Sequence, residues 1–275
     1  MGFPVIDFHL HVGTKSHWTP WVMDFFRQVN PFYYEHFSEQ ITPDGVLAFL
    51  KGQGVRKAVV LSEYAPETSG VVTNEFTSRF CDGQEDLIPF GSICLYSEEP
   101  LEEQAERAIK QLGIKGFKML PTYAHFYPND SRLFPFYEVA QQHRTPLAFH
   151  TGISFFRGSK VKYGDPLLLD DVACDFPSLP IVLEHGGRSF WYDRAGWLIS
   201  RHRNMYIGLA GIPAKQALQH FPHLERYQDR FIFGSDWPGV PDIRLLAEKI
   251  YDLPLGQETK ERILWKNAAE LLGLS

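Results

Sequence analysis

The stretch Val5-Ile6-Asp7-Phe8-His9-Leu10-His11 alternates apolar with polar side chains. In a β-strand alternate residues share a face, so this spacing predicts a strand carrying Asp7, His9 and His11 on one side. Two imidazoles two residues apart at the C-terminal end of a strand project in parallel and can converge on one metal ion. His-x-His pairs are also common as two unrelated histidines, so the meaning of this one depends on how the other strands end.

Outward from that strand the chain settles into a regular alternation. Val12 to Ile41, dense in aromatics and without a clean period, reads as a long loop with short helices. Thr42-Pro43-Asp44 has the pattern of an N-cap followed by proline in the first turn, opening a helix that stops at Gly52 and Gly54. Strands are expected over 55–61, 87–94, 114–120, 146–151, 181–184, 205–209 and 230–234. Helical spacing occupies 71–81, 101–112, 133–143, 167–176, 193–202, 243–251 and 259–272. Strict β-α alternation means a parallel sheet, and with Val5–His11 the strands number eight, which closes a (β/α)8 TIM barrel. The competing open sheet lacks its mark, because no Gly-x-Gly-x-x-Gly follows the first strand. The length of 275 residues suits one such barrel, so a single domain over 1–275 is expected.

Composition narrows the function class. Net charge is -6 and no basic tract exceeds Arg201-His202-Arg203, so neither nucleic acid nor an anionic membrane is an expected partner. Cys81, Cys94 and Cys174 form no Cys-x-x-Cys, which argues against a disulfide framework and a thiolate metal knuckle. The first strand begins by about Pro4 and no 18-residue apolar run is present, so a cytoplasmic protein acting on a small-molecule substrate is expected.

In a TIM barrel the site lies at the C-terminal ends of the strands. Strand one ends in His9 and His11, strand four in Lys118, strand five in His150, strand six in His185 and strand eight in Asp236. Such nitrogen and oxygen donors suit Zn²⁺, Mn²⁺ or Fe²⁺ with a position left open. Each residue also has a plain structural explanation: a core histidine at 150, a helix-entry residue at 185, an N-cap at 236, a lysine reaching solvent at 118. Beyond these strand ends, Arg157, Lys160, Lys162, Arg188 and aromatic neighbours suggest a carboxylate-bearing substrate on a flat skeleton, against the alternative of a solvated loop.

The sequence resembles the amidohydrolase superfamily, and within it the branch of aminocarboxymuconate-semialdehyde decarboxylase, resorcylate-type decarboxylases and pyrone-dicarboxylate lactonases. The motifs that carry the resemblance are Ile6–His11, Gly116-Phe117-Lys118-Met119-Leu120-Pro121, Phe149-His150-Thr151-Gly152, Glu184-His185-Gly186-Gly187, Phe233-Gly234-Ser235-Asp236-Trp237-Pro238 and Asn267-Ala268-Ala269. It implies that His9, His11, His150 and Asp236 hold a divalent metal, usually zinc, and that His185 and Asp236 manage protons. Substrate contacts are expected from Lys118, Arg157, Arg188 and Trp237, and members of the branch often form homodimers. Related two-metal barrels carbamylate a lysine in the position of Lys118, whereas an unmodified ammonium contacting substrate is the simpler role. The reaction expected from that lysine is hydrolysis of a small cyclic ester or amide, its charge steadying an oxyanion; the alternative on the same ligands is non-oxidative decarboxylation of an aromatic or muconate-type acid.

Overall fold

The protein is described here by a computed structural model covering residues 4–274. Its strands are β1 (Ile6–His11), β2 (Lys57–Leu61), β3 (Glu63–Ala65), β4 (Gly70–Val72), β5 (Leu87–Gly91), β6 (Gly116–Met119), β7 (Leu147–Gly152), β8 (Ile181–Arg188), β9 (Met205–Gly208) and β10 (Phe231–Ile232). All but the antiparallel β3–β4 hairpin form one sheet of eight parallel strands in the order β1-β2-β5-β6-β7-β8-β9-β10. The sheet closes on itself where Phe8 N donates to Phe233 O at 3.0 Å and His11 N to Trp237 O at 2.8 Å. The architecture is a TIM barrel, as the alternation of the sequence requires.

Two apolar layers hold it. Ile6, Phe8, Val59, Leu61, Ile88, Phe90, Ala148, Val182 and Ile232 fill the barrel interior, one or two from each contributing strand. Leu10, Val60, Phe117, Phe149, Leu183 and Ile207 face the other way, into the layer shared with the helices. Local signals explain the helix ends. Thr42 Oγ1 accepts from Gly45 N at 3.2 Å and starts the helix Pro43–Gly52, while Gly113 at φ 66° stops Leu101–Leu112 in the left-handed conformation that glycine adopts at least cost.

The short helices expected after β1 are present, while an unexpected helix Ala214–His220, the start of the helix before β5 and the face of Asp7 depart from the sequence reading. The aromatic stretch after β1 contains two well-defined helices, α1 (Pro20–Val29) and α2 (Pro31–His36), each with proline in its first turn; Asn30 caps the second through Tyr33 N. The helix expected from Val71 is preceded by the β3–β4 hairpin and begins only at Asn74, capped by Thr73. Asp7 does not share a face with the two histidines. A register irregularity between Asp7 and Leu10 reverses the strand's parity, with Phe8 inside the barrel and Leu10 outside it. Asp7 Oδ2 instead accepts from Ser235 Oγ at 2.6 Å, and Oδ1 from Ser235 N at 2.8 Å and His9 N at 3.1 Å, tying β1 to the segment after β10. Burial raises the Asp7 carboxyl to about 6 despite these bonds. Among the described residues no helix is long and apolar enough to cross a membrane.

Candidate metal centre

The parity reversal in β1 brings His9 and His11 together at the C-terminal mouth, with their Nε2 atoms 3.1 Å apart. Asp236 Oδ1 stands 3.5 Å from His9 Nε2 and 3.6 Å from His11 Nε2. His150, on β7, and Lys118, on β6, point inward on the ordinary alternation of their strands, with the Lys118 amine 3.4 Å from His9 Nε2. His185 and Asp236 reach the same mouth by another route. Each adopts a left-handed backbone, φ 65° and 69°, which non-glycine residues enter only where surrounding contacts enforce it. His185 then rests with Nδ1 2.8 Å from Ala210 O, its ring 4.7 Å from that of His150 and 5.1 Å from that of His9. One nitrogen or oxygen from each of His9, His185 and Asp236 lies within 4.8 Å of the others.

Two carboxylates outside this set face its far side, and sequence reasoning gave them no role. Glu184 Oε2 is 2.9 Å from His9 Nδ1, and Glu63 Oε2 is 3.1 Å from His11 Nδ1. The parity of β8 was the available signal for Glu184: Val182 points into the barrel, so Glu184 must as well. No comparable signal exists for Glu63, which lies in the unexpected hairpin.

The protonation pattern suits a cation. Burial lowers His9, His150 and His185, helped by the positive charge of Lys118 at the first two and of Arg188 at the last two, so these imidazoles are neutral and present lone pairs. Burial opposes charge on His11 too, yet Asp236 and Glu63 outweigh it and raise its pKa to about 9. Asp236 is partly buried, which alone would raise its carboxyl, but His11 and the cationic neighbours hold it well below the usual carboxylate range. His150 Nε2 is buried with no partner. Neutral imidazoles and an ionised carboxylate are donors that could hold a divalent metal, whose binding would displace the proton on His11.

The cavity over these groups has a volume of about 350 Å³. Trp18, Phe25, Phe26, Tyr123, Phe155 and Phe156 form apolar walls, and Lys118 and Arg188 also line it. Arg188 Nη1 is 3.6 Å from Asp236 Oδ2. Two expected substrate contacts lie elsewhere. Arg157 is exposed and, like Lys160 and Lys162, does not line the cavity, because the loop packs Phe156 inward and leaves its charges in water. Trp237 is fully buried behind the mouth, among Tyr33, Phe37 and Phe49. Lys118 is fully buried as well, which removes the solvent-reaching reading of that residue.

A second cluster joins Asp170 and Cys174 of the helix Leu168–Asp175 to His202, the residue that ends the helix Tyr192–Arg201. It is closed by Arg201, whose Nε donates to Asp170 Oδ1 at 2.9 Å and whose Nη2 is 3.8 Å from Cys174 Sγ.

The amidohydrolase family profile matches residues 6–274, essentially the whole described chain. The chain belongs to the amidohydrolase family. Solved structures of similar fold include an uncharacterised TIM-barrel protein from Bordetella bronchiseptica, with TM-score 0.80, 22% identity, and coverage of 98% of this chain and 99% of that one. A 5-carboxyvanillate decarboxylase from Sphingomonas paucimobilis matches with TM-score 0.72 and 17% identity over 100% of both chains. A dihydroxybenzoic acid decarboxylase from a Polaromonas species, solved with bound manganese and 2-nitroresorcinol, matches with TM-score 0.73 and 16% identity over 98% of this chain and 97% of that one. At these identities the likeness establishes the fold of this amidohydrolase, and its chemistry rests on the residues described above.

Proposed function

We propose that this amidohydrolase is a metal-dependent, non-oxidative decarboxylase of a small carboxylic acid on a flat conjugated skeleton. The observation that carries the reading is the cavity itself: six aromatic side chains enclose a space floored by metal-type donors and two cations. Decarboxylation gains from that enclosure, because a carboxylate loses its charge as it becomes carbon dioxide and apolar walls oppose the charged form. The decarboxylases of similar fold support the same choice. Hydrolysis was expected on the strength of Lys118 as an oxyanion contact, but its amine sits at the buried floor beside His9 Nε2.

His9, His11 and Asp236 would hold the metal, with His150 presenting a nitrogen alongside. A divalent cation there supplies Lewis acidity that polarises substrate oxygens. The chain does the rest. Arg188 grips an anionic oxygen of the substrate while restraining Asp236. Trp18, Tyr123 and Phe156 wall the cavity and exclude water. Cleavage leaves the electron pair of the broken bond on carbon, which must take up a proton. His185 carries it: with Nδ1–H committed to Ala210 O, only Nε2 is free to accept a proton from the substrate and return it to carbon.

The test is turnover of the metal-loaded protein on hydroxybenzoates and lactones in oxygen-18 water, following carbon dioxide and ring opening separately. One carbon dioxide per product without label is the expected result, and label in a product carboxylate without carbon dioxide would establish the hydrolase instead. On a turned-over acid, Arg188→Met should raise KM roughly 10–100-fold, the worth of a charged hydrogen bond. Arg157→Ala should leave KM within about twofold, since a solvated side chain outside the cavity contributes little.

A further inference from the structure

The Glu184-His185 motif contains a charged residue that the reaction above does not use. Glu184 sits one residue before the bend at His185, 1% exposed, with Oε2 2.9 Å from His9 Nδ1. Neither of its oxygens has an aligned hydrogen bond among the described residues, and the approach to His9 Nδ1 is a close contact across a buried gap. Its place is built by the neighbouring strand. Glu184 pairs with Gly208 across β8 and β9, and a Cβ at position 208 would collide with Glu184 Oε2. A notch of one missing side chain in β9 therefore admits one carboxylate and holds it against one histidine nitrogen.

The consequence concerns which nitrogen of His9 carries the proton. Only an unprotonated Nε2 can donate an electron pair to a metal, and a neutral imidazole has its proton on either nitrogen. Left alone, His9 has a competing choice, because Nε2–H could donate to Asp236 Oδ1 3.5 Å away and close the centre to a cation. A carboxylate against Nδ1 decides the matter in favour of Nδ1–H.

We infer that Glu184, seated in the Gly208 notch, is the positioning residue that keeps the proton on His9 Nδ1 and so makes His9 competent as a metal ligand. This rests on the metal centre of the proposed function, and its test reads metal affinity and tautomer in place of turnover.

Competition with a chromophoric chelator gives the Mn²⁺ and Zn²⁺ affinities of the wild type, Glu184→Gln, Glu184→Met and Gly208→Ala. Thermal unfolding of each metal-free protein reports whether it folds. Glu184→Met, with no acceptor, should bind metal roughly 10–100-fold more weakly than wild type. Glu184→Gln, which keeps an acceptor oxygen, should fall between them. Gly208→Ala should weaken binding as the methionine variant does, because it displaces the carboxylate without altering it, and it serves as the test if the Glu184 variants fail to fold. Nitrogen-15 signals of His9 in the metal-free proteins should report Nδ1–H in wild type and Nε2–H in Glu184→Met. Affinities within twofold of wild type in folded Glu184→Met or Gly208→Ala, or an unchanged His9 tautomer, overturn the inference. A wild type that binds neither metal overturns the metal-dependent function itself, so the two failures are distinct.

Discussion

Alanine in place of His11, or of His9 and His11 together, is expected to strip the bound divalent cation and reduce turnover at least about 10³-fold, the several kcal/mol that a Lewis acid supplies to developing charge. No other described pair of side chains offers two ring nitrogens 3.1 Å apart with an ionised carboxylate oxygen 3.5 and 3.6 Å from them. The remaining His150, His185 and Asp236 would form a weaker site, since the strand that aims two donors at one point is gone. The fold survives with a penalty that differs between the positions. His11 carries a proton between Glu63 and Asp236, and removing it leaves two carboxylates facing each other across a partly buried gap. Loss of the partner of a buried charge costs about 3–5 kcal/mol, so His11→Ala should unfold at a clearly lower temperature than wild type. His9→Ala orphans only Glu184 and should lose less. Elemental analysis and differential scanning calorimetry on the same preparations check both statements, and metal content equal to wild type in the double variant would refute the assignment.

Those two histidines were legible because strand periodicity needs no tertiary information: apolar neighbours at Ile6, Phe8 and Leu10 mark the strand, and its C-terminal end marks the mouth. Asp7 was misplaced for the same reason. Alternation assumes unbroken register, and the irregularity that separates Asp7 from the pair depends on Ser235, 228 residues away. Lys118 and His150 follow from parity, whereas His185 and Asp236 reach the mouth only through left-handed backbone that no local propensity announces. Glu184 is legible from Val182 two residues earlier, since both lie on the inward face of β8. The helix ends at Thr42 and Gly113 were visible because capping is chemistry between near neighbours. Arg157 marks the opposite limit, since which side of a loop faces a cavity is decided by what packs beneath it, here Phe156 against Tyr123 at 5.5 Å.

Trp237 supplies the second large effect, on stability. Following Asp236 at the end of the last strand, it reads in sequence as a wall of the substrate site. The left-handed turn at Asp236 sends its indole behind the mouth instead, fully buried, with ring centroids 5.2 Å from both Tyr33 and Phe49 and 5.9 Å from Phe37. Around it β1, α2 and the helix Pro43–Gly52 meet, and its carbonyl accepts the amide of His11 at 2.8 Å. Truncating a large buried aromatic costs about 3–5 kcal/mol through lost transfer energy and the cavity left behind. In a chain of this size that lowers the melting temperature by roughly 6–20 °C. Trp237→Ala is therefore expected to melt well below wild type, with Trp237→Phe in between because most of the cavity stays filled. KM of the folded fraction should change less than that of Arg188→Met, since the indole does not line the cavity. An unchanged melting temperature together with a large rise in KM would return Trp237 to the substrate wall, and with it the simple reading in which residues after the last strand face the ligand.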